Sequence, residues 1–161
     1  MPTSTYVALA TTTLSGTDSA IVFDSIPAGY RDLVLTGSVK AATVAYCLVR
    51  LNDDSGSNYS SVVMSGSSSG ATSQAETSVW AQIGYYAQFQ SDHYGVLQIQ
   101  FLDYSATDKH KTFLARESIP DDFVIASANR WASTSAISKI YLNLTNGAVA
   151  GSTFSLYGIE A

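Results

Sequence analysis

The stretch Gly95-Val96-Leu97-Gln98-Ile99-Gln100-Phe101-Leu102-Asp103-Tyr104 decides how this chain is read. Leu97, Ile99 and Phe101 fall on one side of an extended backbone and Gln98 and Gln100 on the other, the period of two that a strand with one wet face requires. The same alternation recurs on both sides of it. Ile140, Leu142 and Leu144 alternate with Tyr141 and Asn143, and Phe154 and Leu156 with Ser155 and Tyr157. Earlier, Leu33, Leu35 and Val39 alternate with Thr36 and Ser38, and Cys47, Val49 and Leu51 with Leu48 and Arg50. Weaker patterns place further strands over 6–14, 20–26, 58–65, 111–118 and 123–131. Between the strands lie Ser15-Gly16-Thr17-Asp18, Pro27-Ala28-Gly29, Asp53-Asp54-Ser55-Gly56, Pro120-Asp121-Asp122 and Asn146-Gly147, rich in residues that supply turn geometry. Short strands at intervals of about 8–15 residues predict an all-β, two-sheet antiparallel sandwich, jelly-roll-like, rather than βαβ units.

Composition agrees. Of 161 residues, 24 are Ser and 15 are Thr, while charged residues make up only 13%, about half the usual share. The net charge of −5 leaves no basic footprint for nucleic acid. One cysteine, Cys47, excludes an internal disulfide, and two histidines without a cysteine pattern argue against structural zinc. No run approaches the roughly 18 apolar residues of a membrane span, and the start Met1-Pro2-Thr3-Ser4-Thr5-Tyr6-Val7 lacks a positive region followed by an apolar one. Synthesis in the cytoplasm, without a membrane partner, is expected. Asn58-Tyr59-Ser60 and Asn143-Leu144-Thr145 then read as coincidental sequons. With no repeat and no shift in composition, residues 1–161 are expected to form a single sandwich domain.

Residues 65–94 resist the strand pattern and are expected to leave the sandwich as a long excursion. Two readings stay open inside it. Ser73 and Glu76 have capping-box spacing, and Val79 and Ile83 share a helical face, so 74–82 reads as a short helix. The preceding Ser65-Gly66-Ser67-Ser68-Ser69-Gly70 has the chemistry of a flexible loop instead. It is not a phosphate cradle, because no Lys follows Gly70. Trp80, Tyr85, Tyr86, Phe89 and Tyr94 cluster in this region. Of these, Trp80, Tyr85, Tyr86 and Tyr94 are candidate contacts to a partner chain or to a glycan, since aromatic faces serve both.

Catalytic constellations are weak. His110 lies between Lys109 and Lys111 in a solvated turn, and His93 follows Asp92, whose side chain an extended backbone would turn to the opposite face. No Gly-x-Ser-x-Gly elbow accompanies them. The pairs Asp53-Asp54 and Asp121-Asp122 have the residue types of a glycosidase or, for the first, a calcium loop. Asp in a turn more commonly accepts bonds from backbone N–H groups two residues on. The chain is therefore expected to be no enzyme and to hold no cofactor or metal.

Three stretches carry a resemblance. Leu48 to Tyr59, an arginine-bearing strand ending in Asn52 and followed by Asp54-Ser55-Gly56 and Asn58-Tyr59, resembles a strand-turn-strand signature of small virion proteins of tailed bacteriophages. Ile26 to Leu35 and Ala150 to Ile159 resemble a turn entering a strand and the closing strand of the same domains. Asn52, Asp54, Gly56, Asn58 and Tyr59 would form a structural turn motif, with Asp54 and Gly56 in the turn, Asn58 bonding it shut and Tyr59 opening the return strand. The resemblance implies a capsid decoration, or cement, protein: a homotrimer on the virion exterior, bound to the major capsid protein and stabilising the shell against packaged DNA. A receptor- or glycan-binding module of the tail or fibre is the alternative it allows.

Overall fold

A computed structural model of the chain describes residues 5–84, 89–120 and 123–160. Among them run twelve strands and no helix: β1 (Tyr6–Thr13), β2 (Asp18–Phe23), β3 (Asp32–Val39), β4 (Cys47–Leu51), β5 (Tyr59–Ser67), β6 (Gly70–Ser78), β7 (Ala81–Gln82), β8 (Gly95–Leu102), β9 (Lys111–Ile119), β10 (Phe123–Trp131), β11 (Ile140–Ala148) and β12 (Thr153–Ile159). They form two antiparallel sheets, one of eight strands in the order β1-β12-β3-β8-β9-β10-β5-β6 and one of four in the order β2-β11-β4-β7.

Eight strands trace a jelly roll. β1, β12, β3 and β8 are successive neighbours in the larger sheet, and β2, β11, β4 and β7 make up the smaller one. The chain thus changes sheet at each step from β1 to β4 and again from β7 to β8 and from β11 to β12, the double Greek key of that architecture. The other four strands are two hairpins placed between crossings, β5–β6 after β4 and β9–β10 after β8. Both add to the β8 side of the larger sheet, extending it from four strands to eight.

The sandwich interior follows from the alternation. Leu33 and Leu35 of β3, Leu97, Ile99 and Phe101 of β8, Val49 and Leu51 of β4, Leu142 and Leu144 of β11 and Phe154 of β12 are all fully buried. Burial of each such side chain is worth roughly 1.5–3 kcal/mol. Phe101 meets Phe113 across the β8–β9 ladder, ring centroids 5.0 Å apart. At one corner two of the stretches carrying the resemblance meet. Arg31 N–H donates to the Ile159 carbonyl (2.9 Å), and the Tyr30 ring lies so close on Gly158 that a Cβ there would come within 2.4 Å of it.

The expected excursion over 65–94 is corrected by the structure. Residues 65–67 complete β5, Ser68 and Ser69 form a two-residue hairpin tip, and Gly70–Ser78 returns as β6 in unbroken register with β5. Where a helix over 74–82 is one reading, 74–78 and 81–82 are strand with a bend at 79–80 between them. β6 is Gly, Ala, Ser, Thr, Gln and Glu alone, with no apolar period to betray a strand. Its order comes from the β5 ladder rather than from burial.

Beneath the added hairpins the inner face is unusually polar, with Ser61, Ser65, Glu117, Ser127 and Asn129 all buried. Glu117 is 1% exposed and neither carboxyl oxygen has a hydrogen-bond partner among the described residues. It fits because residue 84 is glycine: a Cβ on Gly84 would lie 2.0 Å from Glu117 Oε2. Burial pushes the Glu117 carboxyl up to about 8, so the folded protein holds it neutral at pH 7.

Two outcomes are expected. Between the ordinary carboxylate value and about pH 8, the folded state binds a proton that the unfolded state has lost, so stability falls by up to about 1.4 kcal/mol per pH unit and levels off above. Denaturant melts of Glu117→Gln should lose this slope, and at pH 8 the variant should be the more stable protein. Gly158→Ala must displace the Tyr30 ring and should cost about 1–3 kcal/mol, read as a lowered denaturation midpoint at unchanged m.

Candidate functional site

The turn motif lies between β4 and β5. Asn52 and Asp53 both have positive φ, 50° and 58°, and Asp54 N–H closes onto the Leu51 carbonyl at 3.0 Å, so a two-residue turn of the hairpin type sits one step before Asp54. Asp54 then gathers donors. Its Oδ1 accepts Gly56 N–H (2.9 Å), its Oδ2 accepts the Trp131 indole N–H (2.6 Å), and the Asn58 amide reaches both oxygens. Burial alone would raise its pKa, but the bonds from Trp131, Gly56 and Asn58 and the charge of Arg50 outweigh that and hold it below the usual carboxylate range. Tyr59 is 1% exposed. Its hydroxyl accepts Leu51 N–H (3.0 Å) and donates toward the Asp54 carbonyl (3.1 Å), while its ring stacks near-parallel on Trp131. Asn52 caps the approach of β11, its Oδ1 accepting Ser138 and Lys139 N–H and its amide donating to the Ala136 carbonyl. These side chains rivet the two sheets at the β4–β5 corner.

That geometry bears on the acidic pairs. Both Asp54 oxygens are engaged by protein donors, and Asp53 is paired with Lys139 at 2.8 Å. Asp121 and Asp122 lie outside the described residues. No group of three or more His, Cys, Asp or Glu comes together among the described residues. His93 differs from expectation: 91–93 is a bend, and its Nδ1 meets Asp92 Oδ1 at 2.7 Å. Its buried Nε2 has no hydrogen-bond partner among the described residues.

The candidate aromatics part company. Tyr85 and Tyr86 lie outside the described residues. Phe89 is fully buried and pairs with Ala45 by main-chain bonds in both directions, so it belongs to the core. Trp80 lies over the outer face of the four-stranded sheet, its ring 3.6 Å from the Arg50 guanidinium carbon and 5.6 Å, centroid to centroid, from Tyr141. Tyr94 is elsewhere, its hydroxyl donating to the Ala150 carbonyl (3.4 Å) and its ring under Lys40.

An exposed feature that alternation alone does not reveal is the outer face of β8, β9, β10, β5 and β6. Register places Gln100, Leu114, Ala128, Val62 and Ala75 in one row across the five strands. The next row toward the β5–β6 tip is Gln98, Arg116, Ala126, Met64 and Ser73. Val124 is 65% exposed, Val96 58%, Met64 57%, Leu114 51% and Val62 48%. Ala75 and Ala128 are short enough to leave a trough of about 480 Å³ between Val62, Leu114 and Arg130. On a chain of net charge −5, the only charges at outward positions of these strands are Arg116 and Arg130. Exposed apolar side chains gathered on one sheet face in this way are of the kind on which another molecule can dock. The signal was present as paired apolar residues on both parities of β5, β8 and β9, which weakens a strict in–out alternation.

No protein-family model and no curated protein matches the chain. Among solved structures it is similar to exo-inulinase from Aspergillus awamori at 10% identity and a TM-score of 0.35, over 97% of this chain and 29% of the inulinase. It is similar to alginate lyase Aly36B at 9% identity and a TM-score of 0.35, over 96% of this chain and 95% of the lyase. A variant of that lyase in complex with an alginate tetrasaccharide gives a TM-score of 0.27 at 9% identity, over 82% and 70% of the two chains. Likenesses at these scores carry no argument about activity.

Replacing the hub of the turn tests its role. Asp54→Asn turns one acceptor into a donor that faces the donors of Trp131 and Asn58, and should cost about 1–3 kcal/mol in denaturant melts. The Asp54 contribution in the parent is complete above the ordinary carboxylate range and is lost as pH falls through its lowered pKa. The variant should therefore show a shallower decline of stability in acid.

Proposed function

We propose that this chain is a capsid decoration protein of a tailed bacteriophage, which docks the outer face of its eight-stranded sheet on the major capsid protein. The observation that supports this reading is that face: broad and rich in exposed apolar side chains, with no carboxylate at the outward positions of its strands and only Glu76 at the β6 rim of its trough. Hydroxyls and alanines among the apolar residues suit a wide contact that buries few charges, since only Arg116 and Arg130 need partners there. The specific identity of the partner comes from the resemblance of Leu48–Tyr59 and of the closing strand to virion proteins.

Its action is by mass action. A protein that binds only the assembled shell stabilises each site by RT ln(1 + [L]/Kd), about 4 kcal/mol at a thousandfold excess over Kd. Repeated over the shell, this opposes the outward pressure of packaged DNA.

A tail or fibre glycan-binding module is the second reading, and Trp80 on Arg50 beside Tyr141 favours it, because a half-exposed indole with a cation behind it can stack on a sugar ring. Binding of the isolated protein to a glycan array, lost in Trp80→Ala, would support this reading over the first.

The decoration reading is tested on particles. Shells stripped of the protein should release DNA at a lower temperature, and purified protein should restore the original value. Leu114→Asp and Met64→Asp, both on exposed positions, should fold within about 1 kcal/mol of the parent yet fail to restore it. Equal heat resistance with and without the protein would sink the idea.

A further inference from the structure

An antiparallel sandwich has four edges, and here three are protected. β7 is two residues long. β1 carries a register shift against β12 between Ala8 and Ala10, a bulge of the kind that spoils edge pairing. β2 begins at Asp18, is followed by Asp24, and loses register with β11 after Asn143. β6 has none of these devices. It is nine residues long, pairs with β5 without a shift from Tyr59↔Ser78 to Ser67↔Gly70, contains no proline and bears one charge, Glu76. No strand lies on its other side among the described residues.

We propose that β6 pairs with β6 of a second copy of this chain, antiparallel about a two-fold axis near Gln74. A two-fold contact must be self-complementary, and this strand is. Centred on Gln74, Ala75 faces Ser73 of the partner subunit, Thr77 faces the partner's Ala71, and Glu76 faces the partner's Thr72, a hydroxyl that can donate to it. Small residues oppose small residues, and the only acid opposes a donor instead of its own copy. Main-chain bonds along the ladder supply the affinity, as in other cases of strand addition.

The alternative of two copies packing by their broad outer faces is disfavoured by charge, because Arg116 and Arg130 of both copies would be brought together with Glu76, at the β6 rim of the trough, as the only carboxylate there. Edge pairing leaves that face open and joins the two copies of it into one sixteen-stranded surface. The geometry therefore points to a two-fold assembly in place of the three-fold one that the family resemblance implies. It does not depend on what the outer face binds.

The test is the mass of the purified protein in solution, by light scattering or sedimentation across a concentration series. The parent should approach twice the monomer mass as concentration rises. Ser73→Lys combined with Ala75→Lys sets like charges opposite each other twice across the joint and should leave a monomer. Ser73→Lys combined with Ala75→Glu sets opposite charges at the same two places and should recover the dimer. Circular dichroism melts of each variant report whether the fold is kept. A parent that is monomeric throughout, a three-chain mass, or a dimer indifferent to both double variants would overturn the proposal.

Discussion

Everything that distinguishes this molecule from a plain eight-stranded jelly roll hangs on one ladder, that between β8 and β9, paired from Val96↔Ser118 to Leu102↔Thr112. β8 would otherwise be the edge of its sheet. By accepting β9 it carries β10, β5 and β6 in succession, although β5 and β6 precede it in the chain. The ladder holds because the inward residues on both strands are large and apolar where the sandwich is thick, with Phe101 against Phe113 at its centre of packing. Farther from that centre polar residues, Glu117, Ser127, Asn129, Ser61 and Ser65, share the inward positions with Ile119, Ile125 and Val63, and main-chain pairing and the Asp54–Trp131–Tyr59 rivet add to a thinner apolar core.

The division between what the amino-acid order makes legible and what it hides follows the same line. The strands with the clearest alternation were legible because each buries an apolar row in the sandwich, such as Leu97, Ile99 and Phe101, or Ile140, Leu142 and Leu144, whereas β1, which has no buried residue, left a weaker pattern. β6 could not be read, since hydrogen bonds to β5 leave no mark on residue choice when neither face is covered. The coincidence of Ser73 with Glu76 and of Val79 with Ile83 then imitated a helix. The turn residues Asn52 to Tyr59 were legible as a group, but not the reach of Trp131, 77 positions from Asp54 in the chain. The partnership of Trp80 with Arg50 and Tyr141 was hidden for the same reason, as it is made by strand order and not by spacing.

The outer face shows how such a surface arises from ordinary strand chemistry. Positions that face water in a sandwich are commonly polar, yet here Val62, Met64, Leu114 and Val124 stand in adjoining places on three strands. Ala126 and Ala128 between them keep the surface low and continuous. Acid residues are not scarce in the chain, and they collect in the turns, at Asp53, Asp54, Asp92, Asp103 and Asp108. Charge is thus divided between the sheet and its connections, with most of the described acids outside the strands and exposed apolar side chains on them.

The ladder between β1 and β12 carries a consequence for the order in which the molecule assembles. The first strand has one partner, and that partner is the last, so this pairing closes a loop of nearly the whole chain and gains nothing until the intervening strands are in place. β5 and β6 join across a two-residue turn and β8 and β9 across residues 103–110, neighbours in sequence that need no such closure. Loop entropy therefore makes the appended hairpins the early structure and the central sandwich the late one. Slow folding is the expected character of such a topology, and the strands that wait longest are those that hold the two ends of the domain together.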